Sequence, residues 1–336
     1  MRISKRPAGT TAGHARQAAR PVDAFELDNG HGLSVEVWTY GATLVSVRVP
    51  DRTGRRDNIV LRHATLAGYE ARKGSPYLGS TLGRFSRSVD RGSFSLDGTE
   101  HQLDPNDRGH HMHGGTFGFD RLVWDGDAAH DAGSVAVRLR LRSPDGDQGY
   151  PGDLSAETVY RLSADGALSF EHRATSSSPT IVDLTNHAYW NLHPGHRIDG
   201  HHLALNSGRI IHYSERMVPV PGPPGDVTGT PYDFRRSHHL GPLPVDRFFV
   251  LDDPTWAAQL SDPVSGRRMR VVTEAPGLGI YTADRHGQPR GGICLQASAL
   301  PNAPNRPDFP SVRLDPGQTW TSRTTHHFAV SNEGDQ

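Results

Sequence analysis

What most constrains the fold of this chain is a succession of short segments of alternating polarity, running from Val22 to Val330, with turn residues between them. Leu33-Ser-Val-Glu-Val37 alternates, and so does Thr43-Leu-Val-Ser-Val-Arg-Val49, which stops at Pro50-Asp51. Val135-Ala-Val-Arg-Leu-Arg-Leu141 keeps the same period. A period of two sends successive side chains to opposite faces, so these segments predict half-buried strands. Asp97-Gly98, between Ser93–Leu96 and Thr99–Leu103, predicts a hairpin with a two-residue turn. Ala164-Asp-Gly166 predicts a second, between Tyr160–Leu162 and Leu168–His172. Arg268–Val272 and His326–Val330 continue the pattern. Only Leu66–Ala71 reads as helix, for one or two turns. The 37 glycines and 25 prolines supply the many turns such a chain needs. The expectation is an all-β fold, a large antiparallel β-sandwich.

Lys plus Arg number 36 and Asp plus Glu 37, a formal net charge of −1. That balance gives no electrostatic reason to expect nucleic acid or an anionic membrane as partner. A single cysteine, Cys294, excludes an intramolecular disulfide and a thiolate metal cluster. No apolar run approaches the roughly 20 residues that span a bilayer. Met1 to Arg20 is basic, rich in Ala and Gly, and lacks an apolar signal core. It is expected to be a disordered tail on a cytoplasmic protein. No Ser/Gly linker divides the rest, so residues 21–332 are expected to form one domain.

Functional residues concentrate in Thr180-Ile-Val-Asp-Leu-Thr-Asn-His-Ala-Tyr-Trp-Asn-Leu192. Its first half is strand-like. Its second half gathers Asn186, His187, Tyr189, Trp190 and Asn191, more hydrogen-bonding capacity than a core strand needs. An imidazole beside amides and flat aromatics suits a sugar, although a structural histidine in a polar corner would read the same way. Arg108-Gly-His-His-Met-His-Gly-Gly115 carries three histidines but no acidic partner at a metal spacing, so a ligand-facing histidine is favoured over a metal site. Leu82-Gly-Arg-Phe-Ser-Arg-Ser88 offers Arg84 and Arg87, either solvated or gripping a hydroxyl with a planar fork. Gly149-Tyr-Pro-Gly152 is a turn whose aromatic could serve packing or substrate. Asp246 lies between Pro244-Val245 and Phe248-Phe249-Val250, a setting in which a carboxylate needs a specific partner. Phosphate-binding loops, dinucleotide fingerprints, nucleophile elbows and paired carboxylates are missing.

Together these segments resemble the aldose 1-epimerase (galactose mutarotase) family, in order from about Val22 to Val330. Gly-Arg-Phe-Ser-Arg (83–87) resembles the family's Gly-Arg-Val-Ala-Asn-Arg, and His113-Gly-Gly its Leu-His-Gly-Gly. Ser143-Pro-Asp-Gly-Asp-Gln-Gly-Tyr-Pro-Gly152 is similar to Ser-Pro-Asp-Gly-Glu-Glu-Gly-Tyr-Pro-Gly. Thr185-Asn-His-Ala-Tyr-Trp-Asn-Leu192 is similar to Thr-Asn-His-Ser-Tyr-Phe-Asn-Leu. The resemblance implies a galactose mutarotase-like supersandwich with a sugar in an open cleft and no cofactor or metal. It implies interconversion of the α and β anomers of a free aldose, with a base at the C1 hydroxyl and an acid at the ring oxygen. By position, His187 would be the acid and His113 would assist at the ring oxygen. Arg87, Ser86, Tyr189 and Asp246 would bind substrate.

The departure is at the base. The family's segment Cys-Leu-Glu-Thr-Gln is Cys294-Leu-Gln-Ala-Ser298 here, so Gln296 stands at the catalytic glutamate's place. A carboxamide cannot take up a proton at ordinary pH. Ser86 replaces an asparagine and Gly279 a glutamine of the family pattern. Three readings follow: an aldose 1-epimerase-like isomerase with His113 or Glu274 as substitute base; a repurposed enzyme moving protons on a modified or non-sugar substrate; or a carbohydrate binder without catalysis. All take a small molecule as partner.

Overall fold

The computed structural model describes residues 1–72, 77–253, 255–284 and 289–331. Every strand pairing among them is antiparallel. The largest sheet has nine strands. Toward one edge, Ser134–Ser143, Leu154–Ser163 and Ala167–Ser176 form a meander, and the central strand, Trp320–Val330, pairs with the last of these. A five-stranded meander spans Arg2–Thr10 to Arg56–Asn58. A six-stranded sheet runs, in spatial order, through Tyr189–Trp190, Ile293–Ser298, Gly277–Tyr281, Asp246–Val250, Arg209–Ile210 and Gly225–Asp226. One apolar core joins all three: Phe25 and Val35 from the first meander, Val137 and Tyr160 from the large sheet, Leu278 and Leu295 from the third.

The local expectations hold where the sequence had a clear period. Ser93–Leu96 and Thr99–Gln102 form the hairpin, with Asp97 and Gly98 both at positive φ, as its two-residue turn requires. Leu162 faces Leu168 across the Ala164–Gly166 turn. Leu66–Ala71 is a six-residue helix, capped by Thr65, whose hydroxyl accepts from the Gly68 amide.

The N-terminal segment is a correction. Far from being a disordered tail, Arg2–Thr10 pairs along its length with Pro21–Asp28. Four of its five Lys and Arg side chains are paired with acids. Lys5 pairs with Asp23, Arg6 with Glu36, Arg16 with Asp147 and Arg20 with Asp125. Edge-strand pairing uses backbone groups, so it leaves little trace in hydrophobic pattern.

Candidate active site

The six-stranded sheet has two faces of different chemistry. Phe249, Leu278, Ile280, Ile293, Leu295 and Ala297 face the core. The alternate positions make the floor of a cleft of about 410 Å³. Register lays them out in rows: Asp246, Tyr281, Cys294 and Tyr189 form one, and Phe248, Gly279 and Gln296 the next. The wall opposite comes from turns carrying Tyr77, Arg87 and His113, and His187 enters just ahead of Tyr189.

Six of the seven expected site residues meet here: His187, His113, Gln296, Arg87, Tyr189 and Asp246. The seventh, Ser86, does not. It is fully buried, and its hydroxyl donates to the carboxylate of Asp183 beneath the cleft. Glu274 is exposed beyond the end of strand Arg267–Thr273, outside the cleft wall, so it does not replace the base.

His187 is buried, with its backbone N–H donating to Ser80 O and its carbonyl accepting from Gly79. Its Nδ1 faces the Cys294 thiol at 3.6 Å. Burial pushes that thiol up to about 12, so it stays protonated at neutral pH. The ring also packs against Tyr77 at 5.8 Å, His113 at 5.2 Å and Tyr189 at 5.0 Å between centroids.

The two imidazoles of the cleft differ in chemistry. His113 Nδ1 lies 2.6 Å from Ser86 O. A carbonyl only accepts, so Nδ1 carries the hydrogen. Burial, with a lesser push from Arg87 and Arg72, lowers the His113 pKa to about 3. It is therefore neutral at ordinary pH, and its Nε2 is an acceptor. In that form His113 can receive a hydroxyl's hydrogen bond at Nε2 but has no proton there to give. The histidines beside it turn elsewhere. His111 is held between Asp104 O and the Tyr150 hydroxyl, and His110 lies 3.0 Å from Asp90.

Arg84 and Arg87 also part. Arg84 is buried and donates to Ser143 Oγ and to the carbonyls of Ser143, Pro144, Pro151 and Gly152. It pins the turn whose Tyr150 is itself fully buried, so that turn serves packing. Arg87 faces the cleft. Its Nε donates to Ser298 Oγ at 2.6 Å and its Nη2 to Gln296 O at 2.8 Å, and its plane lies 4.7 Å over Phe248. The Gln296 side chain is buried, and its Nε2 has no hydrogen-bond partner among the described residues.

Sequence reasoning missed Tyr77, Cys294 and Asp183. No local pattern marks Tyr77. Cys294 sits in Ile293–Ser298, which is buried at every position and so lacks alternation. Asp183 had a signal, a lone acid within Ile181-Val-Asp-Leu184. It accepts from Ser86 and from the Ala299 amide, and burial raises its pKa to about 6.

With this geometry in place, comparison with known proteins is informative. The family model described as aldose 1-epimerase matches residues 23–327. Galactose mutarotase of Bos taurus is 32% identical, over 93% of this chain and 96% of its own length. Aldose 1-epimerase of Escherichia coli K12 is 30% identical, over 92% and 96% respectively. The crystal structure of galactose 1-epimerase from Lactobacillus acidophilus superposes with a TM-score of 0.86 at 27% identity, covering 98% of this chain and 99% of that one. This chain belongs to the aldose 1-epimerase family.

Proposed function

We propose that this protein is an isomerase of the aldose 1-epimerase type, interconverting the α and β anomers of an aldose by acid–base ring opening and closure. The observation that carries the reading is the convergence of His187, neutral His113 and Gln296 on one cleft of monosaccharide dimensions. His187 gives a proton to the ring oxygen as the C1–O bond breaks, and that bond's electron pair stays on the oxygen. The C1 hydroxyl loses its proton and C1 becomes an aldehyde. Rotation about C1–C2 and the reverse steps deliver the other anomer, and His187 regains its proton. His113 Nε2 accepts from a sugar hydroxyl and fixes the ring's orientation. Gln296 holds the C1 hydroxyl by hydrogen bonding but cannot take its proton, which passes to water. A positioned base is worth roughly 10²–10⁴ in rate, so catalysis here rests on the acid and on orientation.

Family membership and the retained imidazole favour this over the repurposed-enzyme and binder readings. The test is the optical rotation of freshly dissolved α-D-galactose and α-D-glucose. The protein is expected to speed the change above the buffer rate, and His187→Ala to cut the enzymatic rate at least about 10²-fold with little change in melting temperature. No acceleration of any aldose contradicts the assignment, and full activity in His187→Ala contradicts the role of the acid.

A further inference from the structure

Among the described residues, the buried arginines outside the cleft, Arg84, Arg267 and Arg290, each place at least four of their five donors. Arg84 spends all its donors on five oxygens. Arg267 pairs with Asp57 at 3.0 Å and Arg290 with Asp284 at 3.1 Å. Arg87 differs from all of them. A guanidinium has five N–H donors, and Arg87 places two, both on neutral acceptors. Among the described residues, no carboxylate lies within ion-pairing distance of it and its Nη1 makes no hydrogen bond. Burial lowers its pKa, and the more distant carboxylates of Asp183 and Asp246 only partly oppose that shift.

The neighbouring row of the sheet explains the arrangement. Gly279 and Gln296 are register partners. A Cβ at position 279 would lie 2.3 Å from Arg87 Nη2 and 2.7 Å from Nη1, so the glycine makes the seat in which the guanidinium rests. Gln296 supplies that seat with a carbonyl but no charge. Among the described residues that line the cleft, Arg87, Arg108 and Arg247 face Asp107 and Asp246, three positive charges against two negative.

We propose that the preferred substrate is a sugar acid, an aldose whose own carboxylate pairs with Arg87. The proposal rests on the anomer-interconversion reading and narrows its substrate. A planar carboxylate fits the edge of a guanidinium and answers a single surplus charge. A phosphate dianion would leave a second negative charge without a partner inside the cleft.

The experiment follows anomer exchange by polarimetry or anomeric proton NMR with three probes at equal ionic strength: D-galactose, D-galacturonate and D-galactose 6-phosphate. kcat/KM for galacturonate is expected to exceed that for galactose at least about tenfold, and the preference to shrink in about 0.5 M salt. Arg87→Gln should abolish the preference. Gln296→Glu keeps Arg87 in place and sets a carboxylate beside it, and should lower the galacturonate-to-galactose ratio about tenfold or more. Equal rates for the acid and the neutral sugar, or preference for the phosphate, overturn the sugar-acid assignment while leaving anomer interconversion standing. No acceleration with any of the three overturns the anomer-interconversion reading on which it rests.

Discussion

At the scale of single residues, the cleft depends on which atoms are absent as much as on which are present. Gly279 is the clearest case, since even a methyl group would overlap the Arg87 guanidinium. Arg87 would have to leave its seat over Phe248 and give up its bonds to Gln296 O and Ser298 Oγ. Gly279→Ala is expected to raise KM at least about tenfold through loss of one charged hydrogen-bonding group. The fold should survive, because φ at this position is not in the left-handed region. The check is steady-state kinetics beside thermal unfolding; unchanged KM would mean that Arg87 plays no part in binding. Ser86 carries the opposite lesson. Its place in the Arg-Phe-Ser-Arg segment suggests a substrate contact, yet its hydroxyl serves Asp183 and its carbonyl fixes the tautomer of His113. It acts on the cleft through its neighbours.

At the scale of elements, the legible parts of the chain were those whose period matched their burial. Ser134–Ser143 alternates because one face is in the core and the other opens to solvent from Arg138 onward, and its extent could be read within a residue or two. Ile293–Ser298 is buried on both faces, so it has no alternation to read, although it carries Cys294 and Gln296. The pairing that sets Gly279 beside Gln296 and Cys294 beside Tyr189 is long-range and has no local signature. Arg2–Thr10 was misread because its charges pair with acids far along the chain. This strand has a testable weight. Removing residues 1–20 would bare the edge of Pro21–Asp28, part of whose face, Val22, Ala24, Phe25 and Leu27, is in the core. The truncated protein is expected to melt at least about 5 °C lower, by calorimetry, as losing two or more kcal/mol would produce. An unchanged melting temperature would return the segment to the status of a dispensable tail.

At the scale of the whole molecule, the buried histidines set how stability answers to pH. Burial lowers His111 and His172 to about 4 and His113 and His326 to about 3. In the unfolded chain a histidine titrates near about 6.5. Below that pH the unfolded state binds protons that the folded state refuses, so stability present at neutral pH is lost progressively as pH falls from about 6.5 toward about 4. Asp183, raised to about 6, works in the opposite sense: the folded state keeps a proton that the unfolded state has released, and that contribution fades as pH rises through about 6. Four histidines outweigh one aspartate. The melting temperature is expected to be at least about 5 °C lower at pH 5 than at pH 7. A flat or rising profile would mean that these rings are protonated, or hydrated, in the folded state. We also propose that residues 21–332 unfold as one domain, since the three large sheets share one core; calorimetry should then record one transition, and two resolved transitions would divide it.

The central claim is that this cleft holds the acid and the orienting groups for anomer exchange but lacks a carboxylate base at position 296. Gln296→Glu, assayed by polarimetry on fresh α-D-galactose beside the unaltered protein, tests it most directly. The account predicts a rise in kcat of at least about tenfold, within the range that a positioned base supplies. A rate that stays the same or falls, in a protein that folds as stably as before and still binds the sugar, would contradict it.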